Sequence, residues 1–169
     1  MLTGRTHAAA GAFFGALAGH AVGSPEAGLA VGALAALLPD IDAPGSIVGR
    51  RVRLVSVLLE ALAGHRTVCH TVWFCLLVAA GFAALGSWAT GLLKGASALW
   101  GLPAFAGALS HLLLDAATKS GVEPFAPLPL PGKLAYLAHP RGPLVTGTWW
   151  QEMPVMVGFA ALALTVVKL

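Results

Sequence analysis

The chain has 169 residues, of which 57% are hydrophobic and only 10% are charged. A soluble domain typically carries about 25% charged residues, so this chain lacks the polar surface that a soluble enzyme needs. The mean hydropathy of +0.82 agrees with a membrane protein, and the length predicts a single domain over residues 1–169. The net charge of +3 would suit nucleic acid, but in membrane proteins Lys and Arg usually mark the cytoplasmic loops.

Five apolar stretches predict helices, at residues 6–25, 27–39, 67–88, 103–116 and 153–167. The first is rich in Gly and Ala, which let membrane helices approach closely, and the second is short for a full span. Residues 46–64 mix Arg and Glu with Leu and Val, which predicts an amphipathic helix in the membrane interface. Residues 119–147 contain many Pro and Gly and predict an irregular loop. The predicted fold is all-α and polytopic, with about five transmembrane or membrane-embedded helices and one interfacial helix.

Threading five helices back and forth brings the ionisable residues to one membrane face. Because such groups are costly within a membrane, they usually have a function, and this face therefore predicts a functional site. The converging residues are His7, Asp40, Asp42, His65, His70, His111, Asp115 and Glu152.

The basic residues predict which side of the membrane this face occupies. Only Lys94 and Lys168 belong to the opposite face. Those on the converging face are Arg5, Arg50, Arg51, Arg53, Arg66, Lys119, Lys133 and Arg141. By the positive-inside rule the site is cytoplasmic, with the N-terminus inside and the C-terminus outside the cytoplasmic membrane.

The converging residue types are metal ligands. His and carboxylate side chains together bind Zn²⁺ and similar divalent ions. His111 and Asp115 are spaced i,i+4 and share one helix face. Asp40 and Asp42 flank a turn, where they can bind an ion, orient a ligand His, or simply end a helix. Each signal is weak alone, and their convergence favours a metal site.

In combination, these motifs resemble the YdjM-like family of LexA-regulated, inner-membrane metal-dependent hydrolases. The resemblance covers nearly the whole chain. It rests on Thr6-His7, Leu38-Pro39-Asp40-Ile41-Asp42, residues 65–71, residues 110–115 with Thr118, residues 121–127, and Thr146-Gly147-Thr148 with Glu152. That family is distantly similar to zinc-dependent phospholipases C and P1-type nucleases, which implies a helical core of that kind. His111 and Asp115 match the HxxxD pair of those enzymes, whereas the spacing of the other ligands differs.

The resemblance implies metal-assisted hydrolysis of a phosphoester at the bacterial inner membrane. The expected cofactor is one to three divalent ions, most plausibly Zn²⁺. The expected ligands are His7, Asp40, Asp42, His65, His70, His111 and Asp115. Glu152 is expected as a ligand or general base, Asp42 as a ligand or as the residue that orients one, and Arg66 as a phosphate clamp or a mere cytoplasmic anchor.

A site at the membrane surface favours a lipid head group as substrate and membrane lipid as the partner. No stable nucleic-acid binding is expected, because no basic patch interleaved with aromatic residues occurs. Two alternatives from other classes remain: a component of an ion transporter or channel, and a non-catalytic membrane scaffold with a structural metal. Transporter sites usually lie near the bilayer midplane on broken helices, whereas the ligand candidates here fall at helix ends. His20 lies nearer the opposite face and is expected to pack between helices.

Overall fold

The computed structural model describes residues 2–64, 67–93, 98–130 and 137–169. These residues form helices and connecting turns without a β-strand, which confirms the predicted all-α class. The helices are α1 (Gly4–Ala21), α2 (Pro25–Ala35), α3 (Arg53–Ala63), α4 (Val72–Leu93), α5 (Gly101–Ala116) and α6 (Trp149–Val167). Short 3₁₀ turns follow α2 at Pro39–Asp42 and precede α4 at Val68–His70.

Glycines bring α1, α2 and α5 into backbone contact. Gly11, Gly15 and Gly19 lie one turn apart along α1 and face Gly28 and Gly32 of α2. A Cβ atom on Gly15 would lie 2.7 Å from the Gly32 Cα, closer than side chains approach. Gly107 of α5 meets Gly32 in the same way. Small residues at these positions let the three helix axes approach more closely than larger side chains permit.

The apolar core lies between α2, α4 and α5. All its buried members but Leu112 are small or β-branched side chains, which suit helices that pack closely. They are Val31, Ala35, Cys75, Val78, Ala104, Ala108 and Leu112. The apolar stretches of α2 and α5 are therefore used largely for packing within the protein.

Two of the described helices are long and apolar enough to cross a membrane, namely α4 over Val72–Ala89 and α6 over Trp149–Val167. At 1.5 Å per residue, α2 spans about 16 Å and α5 about 24 Å, against a hydrocarbon core of about 30 Å. The charged and His side chains of α1 (Arg5, His7 and His20) lower its hydropathy. The prediction of about five spanning helices is therefore not confirmed by helix length and composition.

The predicted interfacial helix is α3, and it begins at Arg53 because residues 43–52 fold as successive turns. Leu54, Leu58 and Leu62 are spaced four apart and exposed, so they form an apolar stripe on its outer face. Arg53 stands at the start of this helix. This pattern is typical of a helix that lies in the membrane interface.

The predicted irregular loop follows α5 and returns to it. Lys119 donates its amide hydrogen to Leu144 O at 3.0 Å, and Leu144 donates its own to Ala117 O at 3.1 Å. The Val72 amide, at the start of α4, donates to Pro124 O at 2.8 Å. These bonds fasten the loop beside the ends of α5 and α4.

We expect Gly32→Ala to destabilise the protein, because the new methyl would collide with Gly11 O and lie 2.6 Å from the Gly15 Cα. Overpacking of this kind costs about 1–3 kcal/mol. Thermal unfolding in detergent measures the loss. Gly158→Ala is the matched control, since a Cβ there meets nothing within 4 Å. Equal melting temperatures for Gly32→Ala and the wild type would contradict the backbone contact.

Candidate metal centre

Four segments of the fold place six His and Asp side chains together inside the protein. Each member is buried, and each lies in the first turn or the last two turns of its helix or in a 3₁₀ turn. The members are His7 from α1, Asp40 and Asp42 from the turn after α2, His70 from the turn before α4, and His111 and Asp115 from α5. We refer to these six residues as the His/Asp cluster.

Three atoms of the cluster form a nearly equilateral triangle. The Nε2 atoms of His111 and His70 are 3.2 Å apart. Asp40 Oδ1 lies 3.4 Å from the first and 3.6 Å from the second. Zinc ligands bind at about 2.1 Å, so two ligands of one tetrahedral ion lie about 3.4 Å apart. The triangle therefore matches one face of a tetrahedral metal site.

The orientation of His111 is fixed by a backbone carbonyl. Its Nδ1 lies 2.8 Å from Ala36 O, and because a carbonyl only accepts, Nδ1–H is the donor. The neutral ring then directs the lone pair of Nε2 at His70 and Asp40. Metal-binding His residues almost always donate their other ring N–H to such a partner.

Asp115 connects this triangle to His7. Its Oδ2 lies 3.6 Å from His70 Nε2 and 3.7 Å from His111 Nε2, while its Oδ1 lies 3.5 Å from His7 Nε2. The His7 ring stacks on the His111 ring at a centroid distance of 3.7 Å. Two groups in the cluster can therefore hold an ion, His7 with His111 and Asp115, and Asp40 with His70 and His111.

The cluster needs positive charge. It contains three carboxylates, and buried carboxylates are stable only when they are paired or coordinate a metal. Burial lowers the pKa of His70, but the interactions of its ring with the Asp40 and Asp42 carboxylates outweigh burial and raise the pKa to about 9. Without a metal, His70 therefore takes up a proton and supplies part of the missing charge. Asp42 Oδ2 lies 3.5 Å from His70 Nδ1, where it orients the ring.

Buried nitrogen and oxygen atoms that make no hydrogen bond also indicate that the cluster needs a cation. Both ring nitrogens of His7 and the Oδ1 of Asp40 are buried and make no hydrogen bond with the described residues. A buried polar atom without a hydrogen bond costs about 1–3 kcal/mol, so a native structure satisfies it by other means. A divalent cation bound by the first group would take one nitrogen of His7, and one bound by the second would take Asp40 Oδ1, so the donor set fits such an ion.

Two predicted site residues, His65 and Arg66, lie outside the described residues. Glu152 is buried, but both its oxygens accept backbone amides: Oε2 from Thr3 at 2.9 Å and Oε1 from Gly147 at 2.8 Å. These bonds join the N-terminus, the long loop and α6. His20 lies at the other end of α1, where its Nε2 is 2.5 Å from Val166 O, in agreement with a packing role.

Three contributors to the site were not predicted from sequence. The Ala36 carbonyl and the Thr3 and Gly147 amides are backbone groups, which leave no signal in a pattern of side chains. Arg5 and Arg50 line a pocket that also includes Asp40, whereas in the sequence alone their charges indicate only the membrane orientation. Arg5 is close in sequence to His7, and Arg50 to Asp40, and this closeness is the signal that could have placed them near the site.

The fold and the cluster define a small all-helical protein in which a buried His/Asp site that can bind metal lies where two apolar, membrane-length helices begin. The sequence model of the YdjM inner membrane protein family matches residues 1–169. The chain therefore belongs to the YdjM inner membrane protein family, which confirms the resemblance to that family. Hydrolase activity, regulation by LexA, similarity to P1 nucleases, the multi-pass topology and the cytoplasmic orientation stay predictions.

The chain is similar in sequence to proteins from Bacillus subtilis and Escherichia coli. The chain is 34% identical over 123 residues to "Uncharacterized protein YvsG" of Bacillus subtilis (strain 168), covering 72% of this chain and 71% of that one. It is 33% identical over 115 residues to "Inner membrane protein YdjM" of Escherichia coli (strain K12), covering 64% of this chain. The match covers 54% of that protein, so this chain spans about half its length. No solved structure matches the chain significantly.

We expect the protein purified without chelator, or reloaded with zinc, to contain at least one equivalent of a divalent ion, measured by elemental mass spectrometry. His111→Ala should remove nearly all of it, because His111 belongs to both groups. His7→Ala should remove only part. Asp42→Asn should weaken zinc binding by about 10–100-fold, the usual effect of losing a residue that orients a ligand.

His20→Ala and His139→Ala are the matched controls, since His20 lies at the other end of α1 and His139 is exposed beside Glu123. Both should keep the wild-type metal content. Absence of metal after reloading, or an equal loss in the control variants, would contradict the assignment of the cluster.

Proposed function

We propose that this protein is a metal-dependent hydrolase of the inner membrane, which cleaves a phosphoester of a phospholipid-like substrate at the cytoplasmic face. The observation that supports the proposal most is the triangle of His111 Nε2, His70 Nε2 and Asp40 Oδ1, with sides of 3.2 to 3.6 Å. A divalent ion bound there would supply the chemistry by activating water and offsetting charge on the phosphoryl group.

The residues of the cluster have separate tasks in this proposal. His111 and His70 present nitrogen lone pairs, and the Ala36 carbonyl and Asp42 fix the directions of the two rings. Asp115 faces both groups of ligands with different oxygens, which suits a carboxylate shared between two ions. Among the cluster residues, only Asp40 also lines the pocket that contains Arg5 and Arg50. In this proposal the substrate therefore meets the site at Asp40.

Glu152 holds segments of the chain in position next to the site. Because its two oxygens accept the Thr3 and Gly147 amides, the carboxylate fastens the chain four residues before His7. These contacts favour a positioning role, while its role as a general base stays a prediction. Arg66, which lies outside the described residues, stays a prediction as a phosphate clamp or a cytoplasmic anchor.

The position of the site favours a substrate that arrives in the membrane plane. Of the two helices able to span a membrane, α4 begins two residues after His70, and α6 contains Glu152 in its first turn. Both therefore start at the end of the molecule that holds the cluster. The exposed apolar stripe of α3 follows Arg50, Arg51 and Arg53 in the chain, and arginines at this position suit phospholipid head groups. Together these features place the site at a membrane boundary in this proposal.

We expect the cluster to face the cytoplasm, because most basic residues lie on its side of the predicted topology. A reporter fused after Leu169 should register outside the cytoplasmic membrane. One inserted after Leu128, in the loop beside the cluster, should register in the cytoplasm. The metal content of both fusion proteins is measured as a control, to show that the site still forms. Finding the two reporters on the same side would contradict the proposed orientation.

We expect the metal-loaded protein in liposomes to release product from a phosphodiester or phosphomonoester, most plausibly a phospholipid. Asp115→Asn should lower turnover by more than about 100-fold, beyond the usual effect of a residue that only orients a ligand. Product release is measured across a panel of phospholipids, nucleotides and single-stranded nucleic acid.

His20→Ala controls for general effects of altering α1 and should keep the wild-type rate. Melting temperature checks that each variant folds. If the metal-loaded protein hydrolyses nothing in the panel, yet moves zinc across liposomes in a manner that requires His111, the transporter reading replaces the hydrolase.

A further inference from the structure

A pocket of about 670 Å³ adjoins the His/Asp cluster and has no part in binding metal. It lies between the start of α1, residues 43–50 and the first two turns of α6, and Asp40 forms part of its wall. Pockets of about 300–1,000 Å³ are the usual size for small-molecule sites. A ligand seated in it would therefore reach the edge of the cluster.

Two cationic side chains line this pocket, Arg5 from α1 and Arg50 from the turns before α3. Neither forms an ion pair with a carboxylate of the described residues. The acidic groups in the wall are already engaged, Asp40 by His70 and His111, and Glu152 by two backbone amides. Arg5 and Arg50 are therefore the cationic groups available to a ligand, and guanidinium groups suit a phosphate.

Another part of the pocket wall is apolar. Met153 and Met156 come from α6, one of the two helices able to span a membrane, and Ile47 and Leu2 also line the pocket. Unbranched Met side chains adapt to flexible apolar ligands. Because α6 is apolar and of membrane length, this wall suits the hydrocarbon part of a lipid.

Hydrogen bonds hold the segments that line the pocket in position. Glu152 fastens Thr3 and Gly147 to the start of α6, and Thr3 and Gly147 both line the pocket. On the other side, Ser46 donates its hydroxyl to Asp40 O at 2.8 Å and accepts the Gly49 amide at 2.8 Å. These bonds hold the segment that carries Arg50 against the turn that carries Asp40.

We propose that this pocket binds a phosphate-bearing amphiphile, with the phosphate between Arg5 and Arg50 and the hydrocarbon chain along Met153 and Met156. Arg5 and Arg50 thereby select an anionic head group, and the methionine wall selects a membrane-derived ligand over free phosphate. The proposal deepens the proposed function and rests on it only for what happens to the phosphate afterwards, since binding itself requires no metal.

The test measures binding to metal-free protein in phosphatidylcholine nanodiscs by calorimetry. The three probes are dioctanoyl phosphatidate, dioctanoylglycerol without phosphate, and glycerol 3-phosphate without chains. We expect phosphatidate to bind at least about tenfold more tightly than either of the others, because only it engages both walls. Equal binding of glycerol 3-phosphate would replace the amphiphile with a soluble phosphate compound and overturn the proposal.

Variants separate the two walls. The double variant Arg5→Ala/Arg50→Ala should lower phosphatidate affinity by at least about tenfold, and Arg5→Lys/Arg50→Lys should restore part of it. Met153→Asn/Met156→Asn should weaken phosphatidate but not glycerol 3-phosphate. Arg51→Ala is the matched control, because Arg51 is exposed, bonds to Ile47 O and does not line the pocket.

An equal loss in Arg51→Ala would mean nonspecific attraction to basic charge and would overturn the proposal, as would unchanged affinity in the double arginine variant. Melting temperatures distinguish lost binding from lost folding. The inference and the proposed function fail separately: a protein that binds phosphatidate but neither metal nor substrate loses the hydrolase and keeps the pocket. A protein that hydrolyses phospholipid with Arg5 and Arg50 both replaced loses the pocket and keeps the hydrolase.

Discussion

The backbone contact between α1, α2 and α5 is the constraint on which the rest of the structure depends. Gly32 meets Gly11 and Gly15 on one side and Gly107 on the other, so three helices converge at one residue of α2. Each of these helices leads to a member of the cluster: His7 begins α1, Asp40 follows α2, and His111 lies one turn beyond Gly107. Lipid offers helices little hydrophobic reason to associate, so close packing of small residues is what brings the ligands together.

That same packing creates an electrostatic problem that a cation solves. Three buried carboxylates come together, where like charges repel and burial favours their neutral forms. Among the His residues, His111 has its Nδ1 committed to the Ala36 carbonyl, so its Nε2 can receive a cation but not donate a hydrogen bond. Close helix packing and metal binding are therefore coupled, and a bound ion would add its binding free energy to the stability of the fold.

The sequence predicted the cluster better than it predicted the membrane topology. The i,i+4 spacing of His111 and Asp115 and the threading of successive helices predicted that the six residues of the cluster lie together, because that argument needs the order of the helices but not the number that span the membrane. Hydropathy does not distinguish a helix buried in protein from one exposed to lipid, so α2 and α5 were counted with α4 and α6. The carboxylate of Glu152 predicted a site residue, but its partners are the backbone amides of Thr3 and Gly147. Every residue type except proline has such an amide, so the sequence does not indicate these contacts.

The pocket adjoins the buried cluster at Asp40. Among the six cluster residues only Asp40 lines it, so a ligand seated in the pocket would meet the ligand triangle at that residue. Residues 43–50 supply Arg50 to the lining, and α6, which is long and apolar enough to span a membrane, supplies Met153 and Met156. The lining therefore combines a candidate metal ligand, cationic groups and apolar side chains. An amphiphile with a phosphate at one end matches that combination, whereas a soluble phosphate would leave the apolar side chains unused.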